Sequence, residues 1–73
     1  MYNYKTILPQ RLKYFRSKYH YTQEDVAKMM RVDRSTYANW EIGARFPNII
    51  KVCQIADIYD TSVDLLLGRT EIK

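Results

Sequence analysis

The chain has 73 residues, of which 47% are hydrophobic, and its formal net charge at pH 7 is +4. This length suits one small domain, and this hydrophobic content is typical of a globular protein rather than a disordered one. No apolar run approaches the ~18 residues of a membrane span, no signal-peptide pattern opens the chain, and the single Cys53 excludes an internal disulfide. We therefore expect one cytoplasmic domain with no membrane contact, and the sequence contains no pattern for a cofactor or a metal.

The charge is unevenly distributed along the chain. Residues 1–46 hold nine lysines and arginines against four acidic residues, a net charge of +5, whereas residues 47–73 hold three against four, a net charge of −1. A basic half favours binding to a polyanion, because phosphate contacts release counterions. Basic surfaces also occur on proteins that bind no nucleic acid, so this signal is modest by itself.

The first predicted helix follows a loose arm, residues 1–7. Because proline is favoured in a first helical turn, Pro9 predicts a start between Thr6 and Pro9. The helix should end near Tyr19-His20. His20 has no second histidine or cysteine at ligand spacing, so it predicts no metal site. Its inward face repeats at helical spacing as Leu8, Leu12, Phe15 and Tyr19.

The second predicted helix begins after Thr22. The Thr22 hydroxyl can accept a hydrogen bond from a free amide of the first turn, and Asp25 completes a capping-box pattern. Val26, Ala27 and Met30 have the spacing of a buried helical face. A short connection through Arg31 then leads to a third helix over about residues 33–41.

The third predicted helix carries two different faces. At about 100° per residue, Thr36, Tyr37 and Trp40 cluster on one side, and Arg34, Ser35, Ala38 and Asn39 lie on the other. The first group can pack. In the second group, arginine can contact guanine and asparagine can contact adenine at base edges in the major groove. An ordinary amphipathic helix with a solvated face is equally consistent with this pattern.

Two further helices are predicted beyond Gly43, which suits a helix C-terminus. The loop 44–47 places Arg45 where it can contact a phosphate, and Phe46 is expected to pack. Helix 4 should span about residues 48–59, and helix 5 should run from a cap at Thr61 or Ser62 to Leu67, followed by Gly68 and a tail over 69–73. The inward face of helix 4 is predicted as Val52, Cys53, Ala56 and Tyr59.

The order of these motifs resembles the Cro/phage-repressor helix-turn-helix family, also called XRE-like. The pattern Q-x-x-V-A is followed, nine residues after its alanine, by T-Y-x-N-W-E-x-G, and later by F-P, I-A-D and S-V-D-x-L-L-G. The resemblance covers roughly residues 8–68 and implies an all-α, five-helix lambda-repressor-like domain with its helix-turn-helix at about 23–42. Arg31 stands where the family usually has glycine. A residue with a Cβ costs roughly 1 kcal/mol more than glycine if φ is positive at this position.

The resemblance also implies roles for individual residues. Arg34, Ser35 and Asn39 would read bases, whereas Gln23, Thr36 and Arg45 would contact phosphates. Arg16 would pair with Glu41 and so attach helix 1 to the end of the third helix, a structural role rather than a catalytic one.

Three apolar residues of helices 4 and 5 are not needed for the predicted core. Ile50 and Ile58 lie off the inward face of helix 4, and Leu65 is an additional leucine in helix 5. Such surplus apolar surface predicts a homodimer interface that includes Ile58 and Leu65. A thicker core, or scattered surface hydrophobics, is the alternative.

The favoured function is a sequence-specific regulator of transcription that binds double-stranded DNA, as a repressor and a homodimer on a palindromic operator. We expect no separate ligand-sensing domain. The alternative is a protein-interaction module, for example an antitoxin-type partner, in which DNA binding is secondary. No Ser/His/Asp or Cys/His arrangement predicts an enzyme, and a helical domain of this size lacks room for a sizeable pocket.

Overall fold

The computed structural model describes residues 3–71, which form five α-helices and, within that range, no β-strand. The predicted all-α class with five helices is therefore confirmed. None of the helices within residues 3–71 is long and apolar enough to cross a membrane. The helices are α1 (Tyr4–Lys18), α2 (Gln23–Met30), α3 (Arg34–Ile42), α4 (Ile49–Ile58) and α5 (Val63–Leu67).

Side-chain caps fix the starts of three helices. The Asp25 amide donates to the Thr22 hydroxyl over 3.0 Å, and the Thr22 amide donates to the Asp25 carboxylate over 2.9 Å, so the predicted capping box is present. At the start of α4 the side chain of Asn48 accepts from the Lys51 amide, and at the start of α5 that of Ser62 accepts from the Leu65 amide. Each cap satisfies an amide that has no partner inside its own helix, and so defines where that helix begins.

One hydrophobic core holds the five helices together. α3 packs between α1 and α2, while α5 packs against α1 and α4, and α2 also contacts α4. Because α3 is held from both sides by core contacts, its outward face has a fixed direction. The buried hydrophobic residues are Leu8, Leu12, Phe15, Val26, Ala27, Met30, Tyr37, Trp40, Val52, Ile55, Ala56, Tyr59 and Leu66.

The prediction for the start of α1 was wrong, and so was the burial of Tyr19. The helix begins at Tyr4, so residues 4–7 of the predicted arm are helical, while residues 1–2 lie outside the described range. Pro9 lies within the second turn, where it leaves the Lys5 carbonyl without its usual helical donor. Tyr19 follows the helix and is 38% exposed instead of completing the buried face. Its hydroxyl donates to the Tyr59 carbonyl over 2.9 Å.

The inward face of α4 also differs from its prediction. Cys53 is exposed, and Ile55 is fully buried instead. The reason is the rotation of the helix, because Ile55 lies beside Val52 and Tyr59 at helical spacing, whereas Cys53 lies about 100° away on the other side of Val52. Phe46, which was expected to pack, is 41% exposed.

Three of the helices are followed by a non-glycine residue in the left-handed region. The φ angles are +59° at His20, +58° at Arg31 and +50° at Asp60, whereas Gly43 and Gly68 take this conformation without a Cβ. Each L-residue with a side chain costs roughly 1–2 kcal/mol in this region. Arg31 therefore adopts the glycine-like turn that its position predicts, and the domain retains strain at that turn.

Candidate nucleic-acid interface

Residues 31–33 form the tight turn that joins α2 to α3. The left-handed Arg31 reverses the chain, and the Val32 amide donates to the Ala27 carbonyl over 3.0 Å. Lys51, on α4, donates from Nζ to the Met30 carbonyl over 3.0 Å and so supports the C-terminal end of α2. The sequence did not single out Lys51, because a lysine that contacts a distant carbonyl leaves no local pattern.

A buried carboxylate fixes α3 relative to α1 and α2. The Glu41 side chain is 1% exposed, and Arg16 donates to it twice, from Nε to Oε2 over 2.6 Å and from Nη2 to Oε1 over 3.1 Å. Gln23, the first residue of α2, donates from Nε2 to Oε1 over 3.1 Å. Arg16 also donates to the Tyr21 carbonyl over 3.1 Å, so this cluster links three helices and the α1–α2 loop.

The Arg16–Glu41 pair is ionised at neutral pH. Burial raises the pKa of the Glu41 carboxyl, but hydrogen bonds, led by the one from Arg16, outweigh this effect and hold the pKa below its ordinary value. The same hydrogen bond raises the pKa of Arg16. A bidentate pair of this kind fixes orientation as well as distance, which is the requirement for aiming a helix.

The outward face of α3 is polar at its N-terminal end. Arg34 and Ser35 are exposed, and Asn39 is half-buried on the same side. The opposite face places Tyr37 and Trp40 in the core, as their positions on the helical wheel predicted. This arrangement presents a guanidinium, a hydroxyl and an amide from a rigid helix.

A cleft of about 570 Å³ lies between α3 and the α3–α4 loop. Thr36, Asn39 and Arg45 all line it, so the structure brings three of the predicted site residues together. Gln23 is not among the lining residues, because its amide is bonded to Glu41 at the start of α2. The cleft is open, and polar and apolar side chains line it in about equal measure.

Comparison with known proteins shows the family to which this chain belongs. A family model described as "Helix-turn-helix" matches residues 12–66, three quarters of the chain. The chain belongs to this helix-turn-helix family. The family is of the XRE type.

Several relatives are named as transcriptional regulators. The HTH-type transcriptional regulator AnsR of Bacillus subtilis (strain 168) is 36% identical over 63 residues, which are 86% of this chain and 54% of AnsR. ImmR of the same organism is 32% identical over 65 residues, 89% of this chain and 51% of ImmR. This chain thus spans about half the length of these curated relatives.

Solved structures share the fold of this helix-turn-helix domain. The solution structure of the SOS-response transcriptional repressor LexA from Eubacterium rectale superimposes with a TM-score of 0.84 at 26% identity, covering 96% of this chain and 77% of that one. A transcriptional regulator from Listeria innocua gives a TM-score of 0.81 at 21% identity and shows the fold alone, covering 90% of this chain and 62% of that one. The lambda-repressor-like architecture is confirmed by these neighbours.

The residues predicted for the dimer interface are less exposed than expected in this helix-turn-helix domain. Ile58 and Leu65 are half-buried and pack against the core. Ile49 and Ile50, at the start of α4, are 63% and 64% exposed. The surplus apolar surface is therefore real, but it is concentrated at the N-terminal end of α4.

The helical wheel of the third predicted helix left out one exposed residue of α3. The structure extends α3 to Ile42, beyond the predicted end at 41, and Ile42 is 69% exposed. Extending the wheel as far as Gly43 would have placed it on the outward face.

Proposed function

We propose that this chain is a sequence-specific, double-stranded DNA-binding transcriptional regulator that inserts α3 into the major groove. One observation carries the proposal. The buried Arg16–Glu41–Gln23 cluster fixes the back of α3, while Arg34, Ser35 and Asn39 project from its front. An α-helix fits the major groove of B-DNA, and only there does each base pair present a distinct pattern of donors and acceptors.

Base reading is assigned to the outward face of α3. The Arg34 guanidinium can contact O6 and N7 of guanine, and the Asn39 amide can contact N6 and N7 of adenine. The Ser35 hydroxyl can donate a hydrogen bond to either of these bases or accept one from it. Arg34 and Asn39 lie about 7.5 Å apart along the helix axis, which allows them to address different base pairs.

Phosphate contacts are assigned to Gln23, Thr36 and Arg45. Thr36 and Arg45 line one cleft, so a backbone strand that lies beside the groove would contact both of them. Gln23 stands at the N-terminus of α2, where free amides and the helix dipole favour a phosphate. Its amide keeps one unshared N–H and its carbonyl oxygen when the other N–H is bonded to Glu41.

We further propose that the regulator acts as a homodimer on a palindromic operator. Two recognition helices address successive major grooves when they stand about 34 Å apart. The domain measures 31 × 23 × 20 Å between its Cα extremes, so two copies side by side match this spacing. Ile50, with Ile58 and Leu65 beside the core, would meet across the two-fold axis on the half of the chain that is not basic.

Repression is the proposed direction of regulation. A dimer on one face of an operator blocks access to that DNA without any further activity. The name of the LexA structure supports this direction, whereas BcrR of Enterococcus faecalis, 29% identical over 63 residues, is named as an activator. A reporter gene placed behind the selected operator decides between them, since repression predicts lower expression when the chain is present.

The proposal is tested by selecting bound sequences from a random duplex pool and titrating the selected duplex at increasing salt. We expect one enriched palindrome, and an affinity that falls steeply with salt concentration because phosphates are neutralised. Binding without sequence preference, or no binding to duplex DNA, would contradict it.

A protein-interaction module is the second candidate, and one observation favours it. An apolar groove of about 420 Å³ lies between the start of α1 and the start of α4. A chain that fails the duplex selection but retains its fold would favour this reading over DNA binding. Among the residues that line the groove are Leu8, Phe46, Pro47, Ile49, Val52 and Leu67.

A further inference from the structure

Ile42, the last residue of α3, is the most exposed large hydrophobic side chain among the described residues. It is 69% exposed, although its neighbour Glu41 is 2% exposed and Trp40 is 5% exposed. The end of the recognition helix thus turns an isoleucine towards solvent while its neighbours point into the domain.

The angular position of Ile42 places it within the proposed base-reading face. Measured around the α3 axis from Arg34, Ser35 lies at about 100°, Asn39 at about 140° and Ile42 at about 80°. Ile42 therefore lies near the centre of the arc that the three polar residues span. Trp40, at about 240°, points in nearly the opposite direction.

We propose that Ile42 is a specificity-determining residue that recognises the C5-methyl group of a thymine in the major groove. The inference rests on the proposed function, because it requires α3 to lie in that groove. The thymine methyl is the apolar feature of the major-groove edges, and an apolar side chain identifies it by excluding water from it. The guanidinium of Arg34 and the amide of Asn39 recognise hydrogen-bonding groups and not a methyl group, so the isoleucine adds information that they do not supply.

The position along the helix predicts where that thymine lies. Ile42 is about 12 Å beyond Arg34 and about 4.5 Å beyond Asn39 along the helix axis. With about 3.4 Å per base pair, the thymine should lie three to four base pairs from the base that Arg34 contacts, and one or two from the Asn39 base.

The test removes the methyl group from the DNA and the side chain from the protein. Each thymine of the selected operator is replaced in turn by deoxyuridine, which lacks only the C5-methyl. For the wild-type chain we expect one position per half-site at which affinity falls about fourfold, the effect of one buried methyl-sized group. Ile42→Ala should lose this difference and bind both duplexes with the affinity that the wild type shows for the uridine duplex, or less.

A matched control uses an equally apolar residue elsewhere. Ile49 is 63% exposed and belongs to α4, so Ile49→Ala should keep the full methyl sensitivity. Thermal melting of both variants verifies that the fold is retained, as expected for exposed positions.

Two results overturn the inference. The first is a wild type that is insensitive at every thymine, and the second is an Ile42→Ala chain that keeps the methyl preference. If that chain also loses affinity equally on both duplexes, Ile42 lies against the sugar–phosphate backbone instead. These failures differ from failure of the proposed function, in which no duplex would be selected at all.

Discussion

Arg16→Ala should destabilise the domain severely, because it leaves the carboxylate of Glu41 without its main partner. The two side chains are not equally buried, since that of Glu41 is 1% exposed and that of Arg16 is 23% exposed. Removing one member of a buried ion pair costs about 3–5 kcal/mol, compared with a total of about 4–11 kcal/mol for a domain of this length. The melting temperature should therefore fall by at least about 12 °C.

Glu41→Gln removes the charge of the other member of the ion pair, and we expect it to reduce the stability of the domain less than Arg16→Ala does. The remaining Arg16 charge can reach water, and a glutamine oxygen can still accept one hydrogen bond, so the expected cost is about 1–3 kcal/mol. The double variant should be less destabilised than the sum of the two single variants by at least about 1 kcal/mol. Urea unfolding of all four proteins measures this coupling. A coupling energy near zero, or equal losses of stability in the two single variants, would refute the assignment of Arg16 and Glu41 as a coupled ion pair with a buried carboxylate.

The pH dependence of stability provides a second measurement on the same pair. The pKa of Glu41 in the folded wild type lies below its ordinary value of 4.5, so the pair's contribution is complete above that pH and is lost as pH falls through the folded value. In Arg16→Ala, burial acts with less opposition and should raise the pKa of Glu41. This variant should then gain stability, relative to wild type, as pH falls from 7 towards 4.5.

The remaining predictions concern base preference, assembly and the turn. Arg34→Ala or Asn39→Ala should cost about 1–3 kcal/mol of binding and relax the base preference at one operator position, measured by competition with base-substituted duplexes. Ile50→Glu should give a folded monomer in sedimentation at micromolar concentration, because a charge facing its own symmetry copy is costly, whereas Leu65→Glu should also lower the melting temperature, since Leu65 packs on the core. Arg31→Gly should raise the free energy of unfolding by ~1 kcal/mol by relieving the left-handed turn.

The predictions on base preference and assembly have contrary outcomes, and the prediction on the turn has a control variant. Equal losses on every duplex would show that Arg34 and Asn39 contact only phosphates. An unchanged oligomeric state in Ile50→Glu, with unchanged operator affinity, would place the interface elsewhere or indicate a functional monomer. Arg31→Lys is the control for the turn, because it keeps both the charge and the Cβ, and it should leave the melting temperature unchanged.

Local chemistry made much of this fold predictable. Thr22 and Asp25, which form the capping box at the start of α2, are only three residues apart, so this helix start can be recognised from the sequence alone. The same is true of Gly43 and Gly68, whose positive φ angles mark the ends of α3 and α5.

The errors arose where tertiary contacts decide between local alternatives. Cys53 and Ile55 fit a buried helical face about equally well, and only the rotation of α4 against the core buries Ile55. Tyr19 has the spacing of the buried face of α1, but its position after the helix end directs it towards the Tyr59 carbonyl instead. Pro9 favours a first turn locally, yet the helix extends one turn further towards the N-terminus. In the candidate site, the exposure of Ile42 depended on a helix end that was predicted one residue too early.

Under the proposed function, the separation of the two faces of α3 has a consequence for how this domain changes its DNA target. Glu41, which fixes the helix, points towards α1 and α2, whereas Ser35 and Ile42 point outward and are exposed. Substitutions on the outward face therefore leave the anchoring contacts intact and should be close to neutral for stability. New operator preferences can be acquired by exchanging a few solvent-facing side chains on an unchanged scaffold, so closely similar copies of this domain could diverge in target without an intermediate that fails to fold.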